Sequence, residues 1–73
     1  MRLKFDYSKL LGRIKEKGYT QETFAEAIGI GISTLSLKLS NKAYFKQCEM
    51  DKATDVLEFD KSEIGAYFFV QKV

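Results

Sequence analysis

The apolar residues of this chain recur at helical spacing. The first set, spaced i, i+3, i+4 and i+7, consists of Tyr7, Leu10, Leu11 and Ile14. That spacing lines one face of a helix with apolar side chains. Asp6 can cap the start of the helix, and Gly18 can end it. The pattern therefore predicts a first helix between Asp6 and Gly18.

The next two helices are bounded by residues with known helix-end preferences. Thr20 is a candidate N-cap for a helix over about 21–28, and Gly29 can stop that helix. A third helix is predicted over about 32–40. It closes at Asn41, because asparagine tolerates the left-handed backbone at a helix end.

The rest of the chain predicts one or two more helices and a joining of the two ends. A fourth helix is expected over about 46–58, and residues 60–63 can start a short fifth helix that carries Ile64. The opening MRLKF alternates weakly, and the closing AYFFVQKV favours extended backbone. These patterns predict an all-α bundle of four to five helices and leave open a small strand pair from the two termini.

Size and composition narrow the function. Residues 1–73 suffice for one domain with a modest core. The chain has no apolar run of membrane-spanning length and no apolar signal-peptide core, which predicts a cytoplasmic protein without a membrane contact. A single cysteine, Cys48, is expected to be a semi-buried filler. Without histidine or a phosphate-binding glycine loop, we expect no enzyme, no cofactor, no metal and no small-molecule substrate.

The charge is unevenly distributed along the chain. Residues 1–46 carry nine Lys or Arg against four acidic residues, whereas residues 47–73 carry three against six. This asymmetry is compatible with one basic face, although a mixed, solvated surface explains it as well.

Residues 20–41 combine the features that a helix-turn-helix requires. Ala25 is the small residue that lets two helices cross closely, and Gly29 and Gly31 allow a sharp turn. The apolar positions of the turn and of the second helix are Ile30, Leu35 and Leu39.

The stretch TQETFAEAIGIGISTLSLKLSNK resembles the helix-turn-helix of the Cro and phage-repressor superfamily. More narrowly, the chain is similar to small Cro-like and repression-modulator proteins of temperate phages of Gram-positive bacteria. The matching frame is DYSKLLGRIKEK, FAEAIG, TLSLKLSNK, VLEF and YFF. The resemblance implies a five-helix fold and a part in the lysis–lysogeny decision, through DNA, a partner repressor or both.

The resemblance also implies contact positions. Those that would face base edges are Ile32, Ser33 and Leu37, with Ser36 beside them. Those that would contact backbone phosphates are Gln21, Ser40 and Lys42, which Lys46 could extend. Phosphate contacts position a protein and make binding salt-dependent, while base contacts specify the sequence.

The chain departs from that pattern on the third helix. Gly31 stands where the family usually has a serine or threonine N-cap, and neither Ile32 nor Leu37 can form bidentate hydrogen bonds with a base. At about 100° per residue, Leu37 lies opposite the side of Leu35 and Leu39, while Ile32 borders that core side and could be buried or exposed.

Three interpretations of Leu37 follow. It could be an incidental surface leucine, a contact for thymine methyl groups, or an anchor in a protein interface.

Two functional hypotheses remain. The first is a Cro-like transcription regulator that places the helix over about 32–40 in the major groove of operator DNA. It would act as a homodimer or as a heterocomplex with a related repressor. The alternative is a modulator or antirepressor that docks on a partner repressor with the same surface, anchored by Leu37 and Ile32. The closing residues Tyr67, Phe68, Phe69 and Val70 could form a dimer contact or cover the core.

Overall fold

The computed structural model describes residues 4–71 and contains five α-helices joined by short turns. In chain order they are α1 (Ser8–Glu16), α2 (Gln21–Ile28), α3 (Ile32–Leu39), α4 (Gln47–Val56) and α5 (Ile64–Phe68). A 3₁₀ turn at Lys61–Glu63 leads into α5. The predicted all-α bundle is therefore confirmed, with five helices.

Local residue chemistry explains both ends of α2 and the end of α3. The Thr20 hydroxyl accepts the Thr23 backbone N–H at 3.1 Å, which satisfies one donor at the start of α2. Gly29 ends α2 with φ of 83°, and Asn41 follows α3 with φ of 64°. The prediction of Asp6 as N-cap was one residue early: Tyr7 is the N-cap of α1, and Asp6 accepts the Ser8 N–H at 2.9 Å.

The described parts of the two terminal segments lie side by side and form one antiparallel bridge, between Phe5 and Gln71. Beside it, the backbone N–H of Asp6 donates to the Val70 carbonyl at 2.7 Å. The described residues thus contain no strand pair. The rest of the two terminal segments, residues 1–3 and 72–73, lies outside the described part of the chain.

The prediction of extended backbone over residues 66–73 was wrong at its start, because α5 includes residues up to Phe68. The reason is burial. Ile64, Tyr67 and Phe68 stand at i, i+3 and i+4, so a helical turn places all three against the core. The hydrophobic contacts of two large rings outweigh the β preference of the AYFF stretch.

The core is shared by all five helices. Its largest fully buried side chains are Phe24, Phe68, Leu10, Ile28, Leu35 and Leu57. The α2 helix packs against both α3 and α4, while α1 packs against α5. The expectation of a semi-buried Cys48 was wrong, since this cysteine is exposed on α4. Leu35 holds α3 from inside and leaves its opposite side to solvent.

No helix within residues 4–71 is long and apolar enough to cross a membrane.

The candidate recognition face on helix α3

A tight turn connects α2 to α3. Its backbone bonds run back into α2: the Ile30 N–H donates to the Ala25 carbonyl at 2.9 Å, and the Gly29 N–H to Glu26 at 3.1 Å. The left-handed φ of Gly29 reverses the chain here. Glycine adopts this φ freely, whereas a residue with a side chain would be strained. Ala25 is itself buried, so its small side chain leaves room for the neighbouring helix.

The outward side of α3 carries four residues that we call the α3 face: Ile32, Ser33, Ser36 and Leu37. All four are exposed. Ile32 is 43% exposed to solvent and Leu37 is 47% exposed. The open question about Ile32 is thereby answered in favour of exposure. The longest side chains on this face are apolar, and the only polar groups are two short hydroxyls.

The residues predicted to contact phosphates lie around the ends of α2 and α3. Gln21 is the first residue of α2 and is exposed, and Lys42 and Lys46 are exposed in the connection to α4. Neither lysine forms a salt bridge with a residue of the described range. The Ser40 hydroxyl, in contrast, bonds the carbonyls of Ser36 at 2.8 Å and Leu37 at 3.2 Å. A phosphate contact by Ser40 would have to replace that internal bonding.

A buried ion pair lies beneath α3, and sequence reasoning missed it. Lys38 is only 4% exposed, and its Nζ donates to Glu49 Oε1 at 2.6 Å and to the Tyr44 carbonyl at 3.1 Å. The same Glu49 oxygen accepts the Lys46 backbone N–H at 2.9 Å. The pair thereby joins α3 to α4 and holds the connection between them at two points, Tyr44 and Lys46. No local pattern marks it, because the partners are eleven residues apart on different helices.

Two opposing effects act on the Glu49 carboxyl. Burial alone would raise its pKa, since the charged form loses water. The hydrogen bonds from Lys38 and from the Lys46 backbone N–H, with the charges of both lysines, outweigh burial and lower the pKa of Glu49 below its ordinary value. Glu49 is therefore ionised at neutral pH and pairs with Lys38 as a carboxylate.

The end of α3 is tied to the beginning of the chain. The Asn41 side chain accepts the Phe5 N–H at 2.7 Å and donates to the Phe5 carbonyl at 3.0 Å. Both backbone groups of Phe5 are thus paired with one amide, much as a neighbouring strand would pair them. The last turn of α3 is held in place against the N-terminal segment.

The family of proteins of unknown function called DUF739 matches residues 3–71. The chain belongs to the DUF739 family. No curated protein matches this DUF739 chain. Among solved structures it is similar to the solution structure of the modulator of repression (MOR) of the temperate bacteriophage TP901-1 from Lactococcus lactis. The two chains are 49% identical and superpose with a TM-score of 0.76, over 89% of this chain and 88% of the other.

A second exposed apolar group in this DUF739 protein lies where the two ends meet. We define the terminal aromatic patch as Phe5, Tyr44, Phe69 and Val70. The Phe5 ring contacts Tyr44 and Phe69 edge-on, with ring centroids 6.5 and 5.7 Å apart. Tyr44 is 61% and Phe69 is 51% exposed.

The interpretation that the closing residues cover the core therefore holds for two of the four. Tyr67 and Phe68 lie in the core, whereas Phe69 and Val70 are exposed on the surface.

A shallow groove of about 360 Å³ lies between α1 and the start of α2. Its lining residues are Leu11, Ile14, Lys15, Tyr19, Thr20 and Gln21. The lining is mostly apolar and holds no pair of groups suited to acid–base or nucleophilic chemistry. Within residues 4–71, no cluster of three or more potential ligands is placed to hold a metal ion.

Proposed function

We propose that this protein modulates repression in a phage-type genetic switch by binding a partner repressor through the α3 face. The observation that carries the proposal is the exposure of Ile32 and Leu37 on the α3 face, whose two other members are serines. The similar solved structure is that of a modulator of repression, which supports the same assignment. We propose likewise that α2 and α3 form a helix-turn-helix of the Cro-like type.

The chemistry of the α3 face favours a protein ligand over base pairs. The most discriminating base contacts are bidentate hydrogen bonds from Arg, Asn or Gln, and the face has none of these residues. Ile32 and Leu37 instead offer apolar surface, whose loss of water is favourable when it is buried in the core of a protein interface. We infer that the partner surface is the DNA-binding domain of a related repressor.

The test is binding of the purified protein to the repressor encoded at the same locus. Leu37→Asp places a charge at the centre of the α3 face, and we expect at least about a tenfold loss of affinity, or about 1.4 kcal/mol. Ser8→Asp adds the same charge at the exposed start of α1 and should leave the affinity unchanged. Repressor binding that survives Leu37→Asp would rule out the α3 face as the contact.

Operator DNA is the second candidate ligand, and the exposed Gln21, Lys42 and Lys46 favour it. A monomer would contact only a few base pairs, so useful affinity would require a homodimer or a heterocomplex with the repressor.

An electrophoretic shift on the operator region of the protein's own locus, at several salt concentrations, would test DNA binding. Lys42→Gln and Lys46→Gln should each lower the salt dependence of binding by about one phosphate contact. The absence of any preference over random DNA at moderate salt would count against this candidate.

A further inference from the structure

The terminal aromatic patch is a surface that the α3 face does not explain. Its rings are packed on one another through Phe5, so the patch is preassembled rather than a set of scattered side chains. Three of its four members are large hydrophobic residues exposed by 41% or more. Single exposed apolar residues are common on soluble proteins, but a contiguous group of this kind marks an interaction site.

The charged residues nearest to the patch along the chain are mostly lysines. Lys4 adjoins Phe5, and Lys42 and Lys46 lie two residues to either side of Tyr44. All three are exposed, and within residues 4–71 none of them forms a salt bridge. Within two positions of a patch residue, the acidic residue is Asp6, which is half-buried and accepts the Ser8 N–H. The exposed charged residues next to the patch along the chain are therefore lysines.

This positive border determines what can cover the patch. In a symmetric contact between two copies, the lysines of each copy would approach those of the other, and like charges at an interface oppose association. A negatively charged partner gains both burial of the rings and attraction to the lysines.

Nucleic acid satisfies only part of this chemistry. Single strands bind aromatic residues by stacking bases on open ring faces. Here Phe5 is half-buried between two rings that meet it edge-on, and Val70 offers no ring at all. A chain with aliphatic or aromatic side chains fits such a surface better than a base does.

We propose that the terminal aromatic patch binds an acidic, partly apolar segment of a partner protein. This contact is separate from the α3 face, so it can hold whether or not Leu37 anchors a repressor. Acidic groups of the segment pair with Lys4, Lys42 and Lys46, while its apolar side chains pack on the exposed rings of Tyr44 and Phe69.

The experiment uses the intact protein and three short synthetic peptides. The first alternates Glu with Leu, the second alternates Lys with Leu, and the third alternates Glu with Ser. We expect the Glu–Leu peptide to shift the amide NMR signals of Phe5, Tyr44 and Phe69. The other two peptides should bind at least about tenfold more weakly by fluorescence anisotropy.

Variants then assign the contact. Tyr44→Ser and Phe69→Ser should each weaken Glu–Leu binding by about tenfold, and Lys4→Gln should weaken it by about threefold at low salt. Leu37→Asp, which tests the repressor contact, should leave peptide binding unchanged. The peptide-induced NMR shifts of the unaltered protein locate the contact even where a variant folds poorly.

Four outcomes would overturn the proposal. Peptide-induced shifts confined to residues outside the patch would show a different site, and equal binding of the Lys–Leu peptide would remove the electrostatic basis. Broadening of the patch signals with protein concentration alone would identify a second copy as the occupant. Tighter binding of a single-stranded oligonucleotide at the same signals would identify nucleic acid instead.

Discussion

Leu37 and Lys38 are neighbours in sequence, yet each has the environment expected of the other. The leucine is 47% exposed and the lysine is 4% exposed. Helical geometry explains how adjacent residues come to lie on different sides of α3, because successive positions are separated by about 100°. The two sides of one short helix therefore differ in what they contribute, and we expect the difference to appear as stability on one side and binding on the other.

The inner side of α3 contains a charge that is costly to bury. Desolvation of an ion pair in a protein interior can exceed the attraction between its partners. Here the Lys38–Glu49 pair is supplemented by hydrogen bonds to the backbone at Tyr44 and Lys46. These bonds hold the α3–α4 connection in one conformation, which is a role that an apolar pair could not fill.

The outer side carries little of the fold's stability. The Leu37 side chain does not belong to the hydrophobic core or to the half-buried residues that pack against it. Its apolar surface is therefore available to a ligand, and changes there should alter binding without altering folding.

The largest expected effect comes from breaking the buried pair. Lys38→Met leaves the Glu49 carboxylate buried without its charge partner, and we expect a loss of about 3–5 kcal/mol in the free energy of unfolding measured in urea. Such a loss is a large fraction of the stability of a small domain.

Two matched variants sharpen this measurement. Leu37→Ser, one residue away, should change the stability by no more than about 0.5 kcal/mol. The double variant Lys38→Met/Glu49→Leu should recover the loss except for about 1 kcal/mol for each of the two backbone groups left without a partner. If Lys38→Met costs no more than Leu37→Ser, the contrast between the two sides of α3 is wrong.

Acid should lower the free energy of unfolding through Glu49, by less than the Lys38→Met substitution does. The pKa of Glu49 in the folded protein lies below the ordinary value of 4.5, so its contribution to stability is fully present above about pH 4.5. That contribution is lost as the pH falls through the folded-state pKa.

Thermal unfolding measured over this acidic range checks the expectation. Glu49→Gln has no carboxyl at this position, so its melting temperature should fall less steeply with acid than that of the unaltered protein. Parallel curves for the two proteins would show that Glu49 does not contribute to acid sensitivity.

The smallest effect concerns the start of α3 and neither of its sides. Gly31 caps the helix with φ of −75° and no side-chain hydrogen bond, and beyond its chain neighbours nothing lies within 4 Å of an added Cβ. We expect Gly31→Ser to stabilise the protein by on the order of a few tenths of a kcal/mol in urea unfolding, because serine caps a helix better than glycine.

Gly29→Ser is the contrasting control, since its φ of 83° disfavours any side chain, and it should cost about 1 kcal/mol. A stabilising Gly29→Ser would contradict the assigned turn geometry.

Local sequence signals predicted most of the helix boundaries and the outward position of Leu37. Thr20, Gly29 and Asn41 act within a few residues of themselves, so their roles can be inferred without tertiary structure. The fourth helix was predicted over about 46–58. It spans Gln47–Val56, with Lys46 and Leu57 as its end caps.

The features that escaped prediction depend on distant partners. The burial of Lys38 requires Glu49 on another helix, and the pairing of Asn41 requires the backbone of Phe5, thirty-six residues earlier. The helical conformation of Tyr67 and Phe68 depends on their burial in the core, whereas the AYFF stretch taken alone favours extended backbone.

The pairing between Asn41 and Phe5 sets unequal limits on what evolution or a designer can change. At position 5 the bonded groups are backbone atoms, so they survive many replacements of the side chain. At position 41 the residue must adopt a positive φ and present both an acceptor and a donor. Glycine meets the first requirement but has no amide, and aspartate keeps the acceptor but loses the donor. The tolerance for substitution is therefore wide at one end of this contact and confined to asparagine at the other.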